Sequence, residues 1–589
     1  MLGPIAAFAG ALLLLPQVRA ASVPDTATIV IVATTDVHGR VLAWDYERDR
    51  EAPLGLVRAA TVVDSLRRRH PGRVILVDAG DLLQGNAFAT YYATVARRTP
   101  HPIVDAFNRM GYDVVTPGNH DFNFGLGALA RALTGARYPY VAANMMREPG
   151  GEPALDLYRM VERAGVRIGI TGATTPGVHV WDGPNIRGQL RFLGVAQAVP
   201  PVVRQMRADG ADVTVLLAHA GLDGPSSYAD TSVPPENDVA AAIRGSTELD
   251  VAIIGHTHRE IPDSTVGTTL VVQPRYNAQN LAVVTLSLAR RAGRWQLVRK
   301  SGALIPLALV RPDTALVRAL QGAHDSARAW ATRPLGQNMA AMSARTARLE
   351  DTPVIDFINE VQRARTGAQL SATAAFATDA VIPAGSVTLS ALTGLYPYEN
   401  TLKAVKISGA DLRAYLEQSA RYFRGLGSDG PIVNDSVPGY NFDIVSGADY
   451  EYDLARPLGQ RVVRLQVDGR DVAATDSFTL ALNNYRQQGG GGFTMVAHAP
   501  LLYDRGEFIR ELLVAEVQRR GAIRPEDYFT RNWAIRGVQA SRDSIVLRVL
   551  ATNDLHGALL PHKESWSNDR EVGGAAALAG AMNRLAVEC

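Results

Sequence analysis

The chain has 589 residues and a formal net charge of +2, with 47% hydrophobic and 20% charged residues. This length exceeds what one hydrophobic core supports, so we expect two large domains. The near-neutral charge excludes the broad basic surface that binds nucleic-acid polymers, and the single cysteine, Cys589, excludes an intrachain disulfide and a thiolate metal cluster.

The first residues have the pattern of a secretory signal. An apolar run over residues 5–15 is followed by Ala20 and Ala21, small residues where a signal peptidase would cut. The run is too short to span a membrane comfortably. We therefore interpret residues 1–21 as a signal peptide and expect an exported protein, periplasmic or extracellular, with no stable membrane insertion after cleavage. Because no Lys or Arg precedes the run, an uncleaved anchor is the alternative.

Five apolar runs in the first half of the chain each end in polar residues. The runs cover residues 29–33, 74–77, 112–117, 213–217 and 251–254. Amphipathic helical patterns lie between them, at residues 56–69 and 195–208. Strands that alternate with helices predict a layered α/β domain, which we place at residues 22–308.

Seven side chains that can bind metal follow these predicted strands. They are Asp36, His38, Asp81, Asn119, His219, His256 and His258. Since open α/β sheets bind ligands past the carboxyl ends of their strands, we expect all seven at one edge. Two divalent cations need a bridging carboxylate, for which we favour Asp81, and mixed nitrogen and oxygen ligands. Nitrogen and oxygen ligands without cysteine can bind Zn, Mn, Fe or Co, and the ligand types do not determine which of these metals is bound.

His120 follows the predicted ligand Asn119 and is predicted to take part in catalysis. We expect its ring to point away from the metals and toward a leaving oxygen, because an imidazolium there would stabilise the departing alkoxide. The alternative is a histidine that only braces its loop.

The second half of the chain predicts a linker and another domain. A helical pattern lies within the linker, which we place at residues 309–335. The second domain, residues 336–540, begins with a predicted helix at 354–365 and continues with strand signals such as residues 402–407 and 461–467. Its glycine run at residues 489–492 predicts a tight loop.

The tail repeats the beginning of the first domain. Residues 545–557 have the pattern of residues 29–39, with Asp554 and His556 two positions apart. The copy ends before any further ligand motif, so these two side chains cannot complete a site. We interpret residues 541–589 as an incomplete second unit, a remnant or a truncation, and expect it to be disordered or loosely docked.

These motifs resemble the bacterial 5'-nucleotidase superfamily of calcineurin-like metallophosphoesterases. The resemblance rests on residues 34–39, 80–86, 118–123, 218–219 and 255–258, and in the second domain on residues 395–402 and 483–490. It implies a four-layer α-β-β-α metallophosphoesterase sandwich followed by an α+β domain that binds the nucleotide. It also implies a hinge near residues 312–336. The tail resembles the start of the second unit of a trifunctional nucleotide phosphoesterase.

Two departures from the superfamily resemble its 2',3'-cyclic-nucleotide 2'-phosphodiesterase/3'-nucleotidase branch. Residues 373–383 lack the Arg that typically grips the phosphate, and Asn123 stands where an Asp usually backs the catalytic histidine. An amide can orient His120 but cannot offset its positive charge. Residues 44–46, 180–182 and 439–443 also resemble this branch.

The resemblance further implies that aromatic side chains clamp the base. By motif position we assign this role to Tyr440 and Tyr485, with Phe442 and Phe493 as alternates, and expect broad base tolerance because stacking does not read base identity. A packed core is the alternative for all four rings. The binding loop would also contain Arg486, Gly489, Gly490 and Gly491.

The sequence thus predicts an exported dimetal hydrolase with His120 and Asn123 in its catalytic machinery. Its substrates would be nucleotides: 2',3'-cyclic nucleotides are opened to 3'-nucleotides, which then yield nucleosides and phosphate. A 5'-nucleotidase or nucleotide-sugar hydrolase is the nearest alternative. An alternative that is not an enzyme is a nucleotide-binding surface protein without catalytic activity. The oligomeric state stays open.

Overall fold

The computed structural model describes residues 26–228, 230–425 and 432–536, together with the backbone of residues 562–563 and 571–572. The chain divides into two units between Val538 and Gln539. In the second unit, the strands His562–Lys563 and Glu571–Val572 pair antiparallel. The predictions for residues 1–21 and for the rest of the tail lie outside the described residues.

Two β-sheets form the centre of the first domain. The first sheet has five strands, in the order Arg294–Pro306, Asn280–Arg291, Thr26–Thr34, Val74–Asp78 and Val114–Val115. The second has six, in the order Ile261–Val266, Thr269–Gln273, Val251–Ile254, Val213–His219, Val166–Thr174 and Tyr158–Arg163. Within each sheet, the strands that precede the predicted ligands run parallel to one another, so their carboxyl ends share one edge of the sheet.

Helices cover the outer face of each sheet. Leu56–Arg69, Pro102–Met110 and Leu126–Gly135 share a core with the first sheet, and Val195–Ala208 and Val239–Arg244 share one with the second. Successive side chains of a strand point to opposite faces; accordingly, Ile29 and Ile31 pack between the sheets while Val30 and Val32 pack against the helices. The order helix, sheet, sheet, helix confirms the predicted four-layer sandwich.

Shorter elements connect these layers. The strands are Trp44–Asp45, Arg50–Glu51, Met145–Arg147 and Leu190–Phe192, and the helical turns are Ala87–Thr90, Tyr91–Val95, Asn119–Phe122, Val178–Trp181 and Gly183–Ile186.

The linker contains the helix Thr314–Ala331. The Asp313 carboxylate caps it by accepting a hydrogen bond from the backbone N–H of Leu316 at 2.7 Å. Its buried face, including Leu320, belongs to the core of the first domain. Only residues 332–333 therefore separate this packed helix from the strand Pro334–Asn338 of the second domain. The hinge near residues 312–336 stays a prediction. Because the helix packs on the first domain, any rotation between the domains would occur at the residues that follow the helix.

The second domain mixes sheets and helices, as an α+β domain does. A five-stranded sheet has the order Asp443–Ser446, Leu370–Ala374, Ser477–Asn483, Thr401–Ser408 and Leu501–Phe508. The helices Pro353–Thr366, Leu389–Leu395, Gly409–Ser419, Asn484–Gln487 and Ile509–Arg520 accompany it. A four-stranded sheet contains Arg470–Asp471, Val462–Val467, Asp449–Tyr452 and Trp533–Ile535; the smaller sheets contain Gly385–Thr388, Pro334–Asn338, Ala522–Ile523, Met342–Ser343 and Val381–Ile382.

Within the described ranges, the helices all fall short of the combination of length and hydropathy that crossing a bilayer requires.

Candidate active site

The predicted metal ligands lie just past the strand ends of both sheets. Asp36 and His38 follow Thr26–Thr34, Asp81 follows Val74–Asp78, Asn119 follows Val114–Val115, His219 ends Val213–His219, and His256 and His258 follow Val251–Ile254. Three strands of the first sheet and two of the second therefore supply the site, which joins the two sheets at one edge.

Five of these residues have left-handed backbone conformations. The φ angles are 50° at Asp36, 49° at His38, 63° at Asp81, 72° at His256 and 55° at His258. Residues other than glycine rarely adopt this region, and when they do they cluster at functional sites. The sharp turns after the strands are what aim these side chains at one point.

The side chains form two adjoining groups that could each hold a metal ion. In the first group, Nε2 of His258 lies 3.1 Å from Nε2 of His38 and 3.3 Å from Oδ1 of Asp36. The second group contains Asp36 again, with Asp81 and His219, and Nε2 of His219 lies 3.0 Å from Oδ2 of Asp81. Oδ1 of Asn119 lies 3.1 Å from the same nitrogen.

Both carboxylates lie between the two groups. Oδ2 of Asp81 is also 3.8 Å from Nε2 of His38, and Oδ1 of Asp36 is 3.9 Å from Nε2 of His219. Asp81 thus contacts both groups, as a bridging ligand must, but Asp36 does so as well. The assignment of Asp81 as the bridge stays a prediction.

Hydrogen bonds behind the histidines fix which nitrogen faces the site. Nδ1–H of His38 donates to the carbonyl oxygen of Gln84 at 3.0 Å, and Nδ1–H of His219 donates to that of Ala79 at 2.8 Å. A neutral imidazole that donates through Nδ1 leaves a lone pair on Nε2. The inward-facing atoms are therefore lone-pair nitrogens and carboxylate oxygens, a set that fits divalent cations.

His256 is held differently from the other predicted ligands. Its Nε2–H donates to Oε1 of Glu236 at 2.8 Å, and its backbone N–H donates to the Asp36 carboxylate at 3.2 Å. The bond to Glu236 leaves Nδ1 as the nitrogen available to a metal ion. Sequence reasoning missed Glu236, because it lies on a loop without a repeating pattern, outside every motif.

Burial and charge together make this a site that needs a cation. The side chains of Asp36 and Asp81 are 0% and 1% exposed. Burial opposes the charged form of His219, but the Asp81 and Asp36 carboxylates outweigh it and raise the pKa of His219 to about 10. Without metal, a proton on His219 is the positive charge that balances the carboxylates. Burial lowers the pKa of His38 to about 4, which keeps its Nε2 lone pair free.

His120 stands beside the ligands. Its ring centroid is 5.4 Å from that of His38, and its backbone N–H donates to Oδ1 of Asp81 at 2.8 Å. Its Nδ1–H donates to Oδ1 of Asn123 at 2.7 Å, so Nε2 is the ring nitrogen that Asn123 does not engage. The predicted contact between His120 and Asn123 is present.

The two predicted clamp tyrosines lie on the side of the second domain that faces this site. Tyr440 is 39% exposed and Tyr485 is half-buried. Burial raises the pKa of Tyr485, and the nearby Tyr440 and Glu236 add to the rise. Next to Tyr485, Asn484 donates a hydrogen bond to the carbonyl oxygen of Trp181 in the first domain at 3.4 Å.

Further aromatic rings connect the clamp with the metal ligands, and sequence reasoning missed them. Tyr276 stacks on His258 with 4.6 Å between centroids and 17° between planes. Burial, together with nearby Tyr440 and Tyr276, raises the pKa of Tyr398 to about 12. Tyr398 is 37% exposed, so part of its ring is accessible.

The structure corrects the prediction for Phe442 and Phe493. Both rings are 0% exposed: Phe442 packs against Tyr422 at 5.4 Å between centroids, and Phe493 packs against Tyr415 at 4.4 Å. Neither ring has a free face for a base. They belong to the hydrophobic core of the second domain.

Arg486 is also structural and does not contact the cleft through its guanidinium, which corrects the prediction that it binds substrate. The side chain is 1% exposed, and it donates two hydrogen bonds of 2.9 Å to the Asp443 carboxylate and one of 2.9 Å to the carbonyl oxygen of Gly490. A buried guanidinium needs such partners. Arg486 thereby fastens the glycine loop under Tyr485.

The glycine loop supports Tyr485 from behind. Gly489 and Gly491 have φ angles of 86° and 72°, as the predicted tight turn requires. A Cβ at Gly490 would lie 2.7 Å from the Tyr485 ring, so only glycine permits this approach.

Comparisons with known proteins agree with both domains. The family model for the calcineurin-like phosphoesterase matches residues 29–260, and that for the 5'-nucleotidase C-terminal domain matches residues 330–498. The 2',3'-cyclic-nucleotide 2'-phosphodiesterase/3'-nucleotidase of Haemophilus influenzae is 30% identical over 577 residues, which cover 85% of this chain and 86% of that protein. The chain belongs to the 5'-nucleotidase superfamily of calcineurin-like metallophosphoesterases. This confirms the predicted family, and as a member the chain is a metal-dependent phosphoric ester hydrolase.

Two further relatives place this metallophosphoesterase in its superfamily. The trifunctional nucleotide phosphoesterase protein of Bacillus subtilis is 27% identical over 88% of this chain, and the chain spans 40% of that protein's length. A crystal structure of a Staphylococcus aureus protein assigned as a 5'-nucleotidase has a TM-score of 0.74 and 26% identity, and covers 86% of this chain and 100% of its own.

The position of Glu236 in this metallophosphoesterase yields a testable prediction. Carboxylates that orient a ligating histidine typically contribute about 10- to 100-fold to metal affinity. We expect Glu236→Gln, which keeps the shape but removes the charge, to weaken binding of one metal ion by about 10-fold in chelator competition. The matched control is Glu248→Gln on the exposed surface, which should bind metal as the wild type does. Equal affinity in Glu236→Gln would contradict a role for this carboxylate.

Proposed function

We propose that the protein hydrolyses 2',3'-cyclic nucleotides to 3'-nucleotides and then hydrolyses these to nucleosides and phosphate. The observation that carries the proposal is the convergence of the metal ligands of the first domain, on the side where Asn484 of the second domain, next to Tyr485, donates to the carbonyl oxygen of Trp181. This arrangement suits a small nucleotide whose phosphate lies at the ligands and whose base lies against the rings of Tyr440 and Tyr485.

The assignment of 2',3'-cyclic nucleotides and 3'-nucleotides as substrates is supported by relatives and by one side chain. The cyclic-nucleotide enzymes of Haemophilus influenzae, Salmonella typhimurium and Yersinia enterocolitica are 29–30% identical to this chain, over 85–90% of its length. Asn123, which contacts His120 through its amide oxygen, is one of the two departures that resemble this branch.

The residues of the site divide the chemistry among them. Divalent ions held by the two ligand groups would activate a water molecule and neutralise charge on the phosphoryl group. Nε2 of His120 gives a proton to the leaving ribose oxygen: the 2' oxygen when the cyclic diester opens, and the 3' oxygen when the monoester is cleaved. In each step water adds a hydroxyl group to phosphorus as the bond from phosphorus to the ribose oxygen breaks.

The second candidate is a 5'-nucleotidase, with nucleotide-sugar hydrolysis as a variant. It is favoured by the similarity to the Staphylococcus aureus structure along 86% of this chain. The metal centre would be the same, and only the way the nucleotide lies between the domains would differ.

We further propose that the two metal ions are drawn from Zn, Mn, Fe and Co, and that the enzyme works outside the cytoplasm, as the pattern of residues 1–21 predicts. Nucleotides released by RNA breakdown would be its natural substrates there.

A parallel assay distinguishes the two candidates. Protein produced without residues 1–21 is loaded with Mn²⁺ or Zn²⁺ and incubated with cyclic 2',3'-AMP, 3'-AMP and 5'-AMP, and the products are separated by chromatography. We expect turnover of the first two, with 3'-AMP as the intermediate from the cyclic diester, and little turnover of 5'-AMP. The control Asp81→Asn, which removes a charged ligand, should be inactive and so exclude contaminating phosphatases. Faster hydrolysis of 5'-AMP would establish the second candidate instead.

The predicted clamp is tested separately, by substitution of each tyrosine. Stacking on an aromatic ring contributes about 1–3 kcal/mol per base, so Tyr440→Ala and Tyr485→Ala should each raise KM for 3'-AMP by about 5- to 100-fold with little change in kcat. Phe529→Ala is the control, because Phe529 is similarly exposed, at 38%, next to the turn Pro525–Asp527. An unchanged KM in both tyrosine variants would show that Tyr440 and Tyr485 do not bind the base.

A further inference from the structure

The contact between His120 and Asn123 continues to a third residue. Nδ2 of Asn123 donates to both carboxylate oxygens of Asp182, at 3.0 and 2.9 Å. His120, Asn123 and Asp182 therefore form a hydrogen-bonded line that leads from the metal centre into the protein.

The hydrogen bonds along this line can run in only one direction, from His120 through Asn123 to Asp182. A carboxylate only accepts hydrogen bonds, so the amide group of Asn123 must face Asp182 with its NH₂. Its Oδ1 must then face His120, whose Nδ1 must carry the hydrogen. Without the carboxylate, the amide could turn over and present its NH₂ to Nδ1. Asp182 thus determines which nitrogen of His120 exchanges the proton.

Asp182 is itself firmly held. It is 5% exposed and lies between the helical turns Val178–Trp181 and Gly183–Ile186. Nδ2 of Asn185 donates to its Oδ1 at 3.2 Å and to the carbonyl oxygen of Phe122 at 3.0 Å. Across the residues that the structure describes, no Arg or Lys forms a salt bridge with Asp182. Burial raises the pKa of Asp182 to about 6, while Asn123 and the charge of His120 act to lower it.

We propose that Asp182 is a positioning residue for His120, which orients the Asn123 amide and supplies, one residue further out, the negative charge that Asn123 lacks. As the bond from phosphorus to the ribose oxygen breaks, the proton on Nε2 moves to that oxygen. Nδ1 keeps its hydrogen throughout, and Asp182 stays ionised. The inference rests on the proposed function only in that His120 protonates the leaving oxygen.

The test compares two leaving groups in the metal-loaded protein produced without residues 1–21. A ribose oxygen needs a proton to leave, whereas 4-nitrophenolate does not, so only the first depends on the acid strength of His120. We expect Asp182→Asn to lower kcat for the nucleotide by about 10- to 100-fold and kcat for 4-nitrophenyl phosphate by less than about 3-fold. Asp64→Asn, at a surface carboxylate with 52% side-chain exposure, should change neither. An equal loss with both substrates, or no loss with the nucleotide, would overturn the proposal.

A rescue variant keeps the test independent of folding. Asn123→Asp combined with Asp182→Asn places a carboxylate directly against Nδ1 of His120 and an amide behind it. This double variant should regain most of the nucleotide activity lost in Asp182→Asn, with unchanged metal content and Tm. If it is no more active than Asp182→Asn alone, the charge at position 182 does not act through His120.

Failure of the proposed function is a separate result. The nucleotide in this assay is whichever of 3'-AMP and 5'-AMP the wild type hydrolyses faster. A wild type that prefers 5'-AMP overturns the proposed substrate class, while the ratio between nucleotide and aryl phosphate still decides the role of Asp182.

Discussion

The structure depends on the convergence of carboxylate oxygens and imidazole nitrogens, most of them buried, at the edge of two sheets. Nε2 atoms of His38 and His258 approach to 3.1 Å, and the fully buried Asp36 and nearly buried Asp81 contribute carboxylates to the same space. Burying charge is costly unless an opposite charge compensates it. In the metal-free protein the proton on His219 partly does so, which is why its pKa rises to about 10. Divalent cations would replace that proton, so folding prepares the site and metal binding completes it.

In the second domain, a chain of contacts supports Tyr485. The Asp443 carboxylate pairs with the buried Arg486, which fastens the glycine loop, and the loop in turn supports Tyr485. The segment of Trp181 and Asp182 contacts both domains: the carbonyl oxygen of Trp181 accepts from Asn484, and Asp182 accepts from the Asn123 amide that contacts His120. His120 and the residue before Tyr485 are therefore connected through two adjacent residues.

Much of this could be predicted from the sequence, because the signal is local. A buried strand is a continuous apolar run, and each ligand follows such a run, so the fold and the convergence of Asp36, Asp81, Asn119 and His219 follow from strand order alone. The sequence could not predict which side chains of a loop point into the core and which point outward. Phe442 and Phe493 have the composition of a base clamp, but their rings complete the hydrophobic core. Glu236 and Asp182 act through contacts 20 and 59 residues distant in sequence, and no periodic pattern marks such partners.

The most direct test of the central claim is a crystal structure of the Mn²⁺-loaded protein with anomalous scattering data. We expect two anomalous peaks about 3.5–4 Å apart. His38 and His258 would lie at one peak, His219 and Asn119 at the other, and a carboxylate between them. A single peak, or peaks remote from Asp36 and Asp81, would contradict a dimetal centre at the edge of the two sheets.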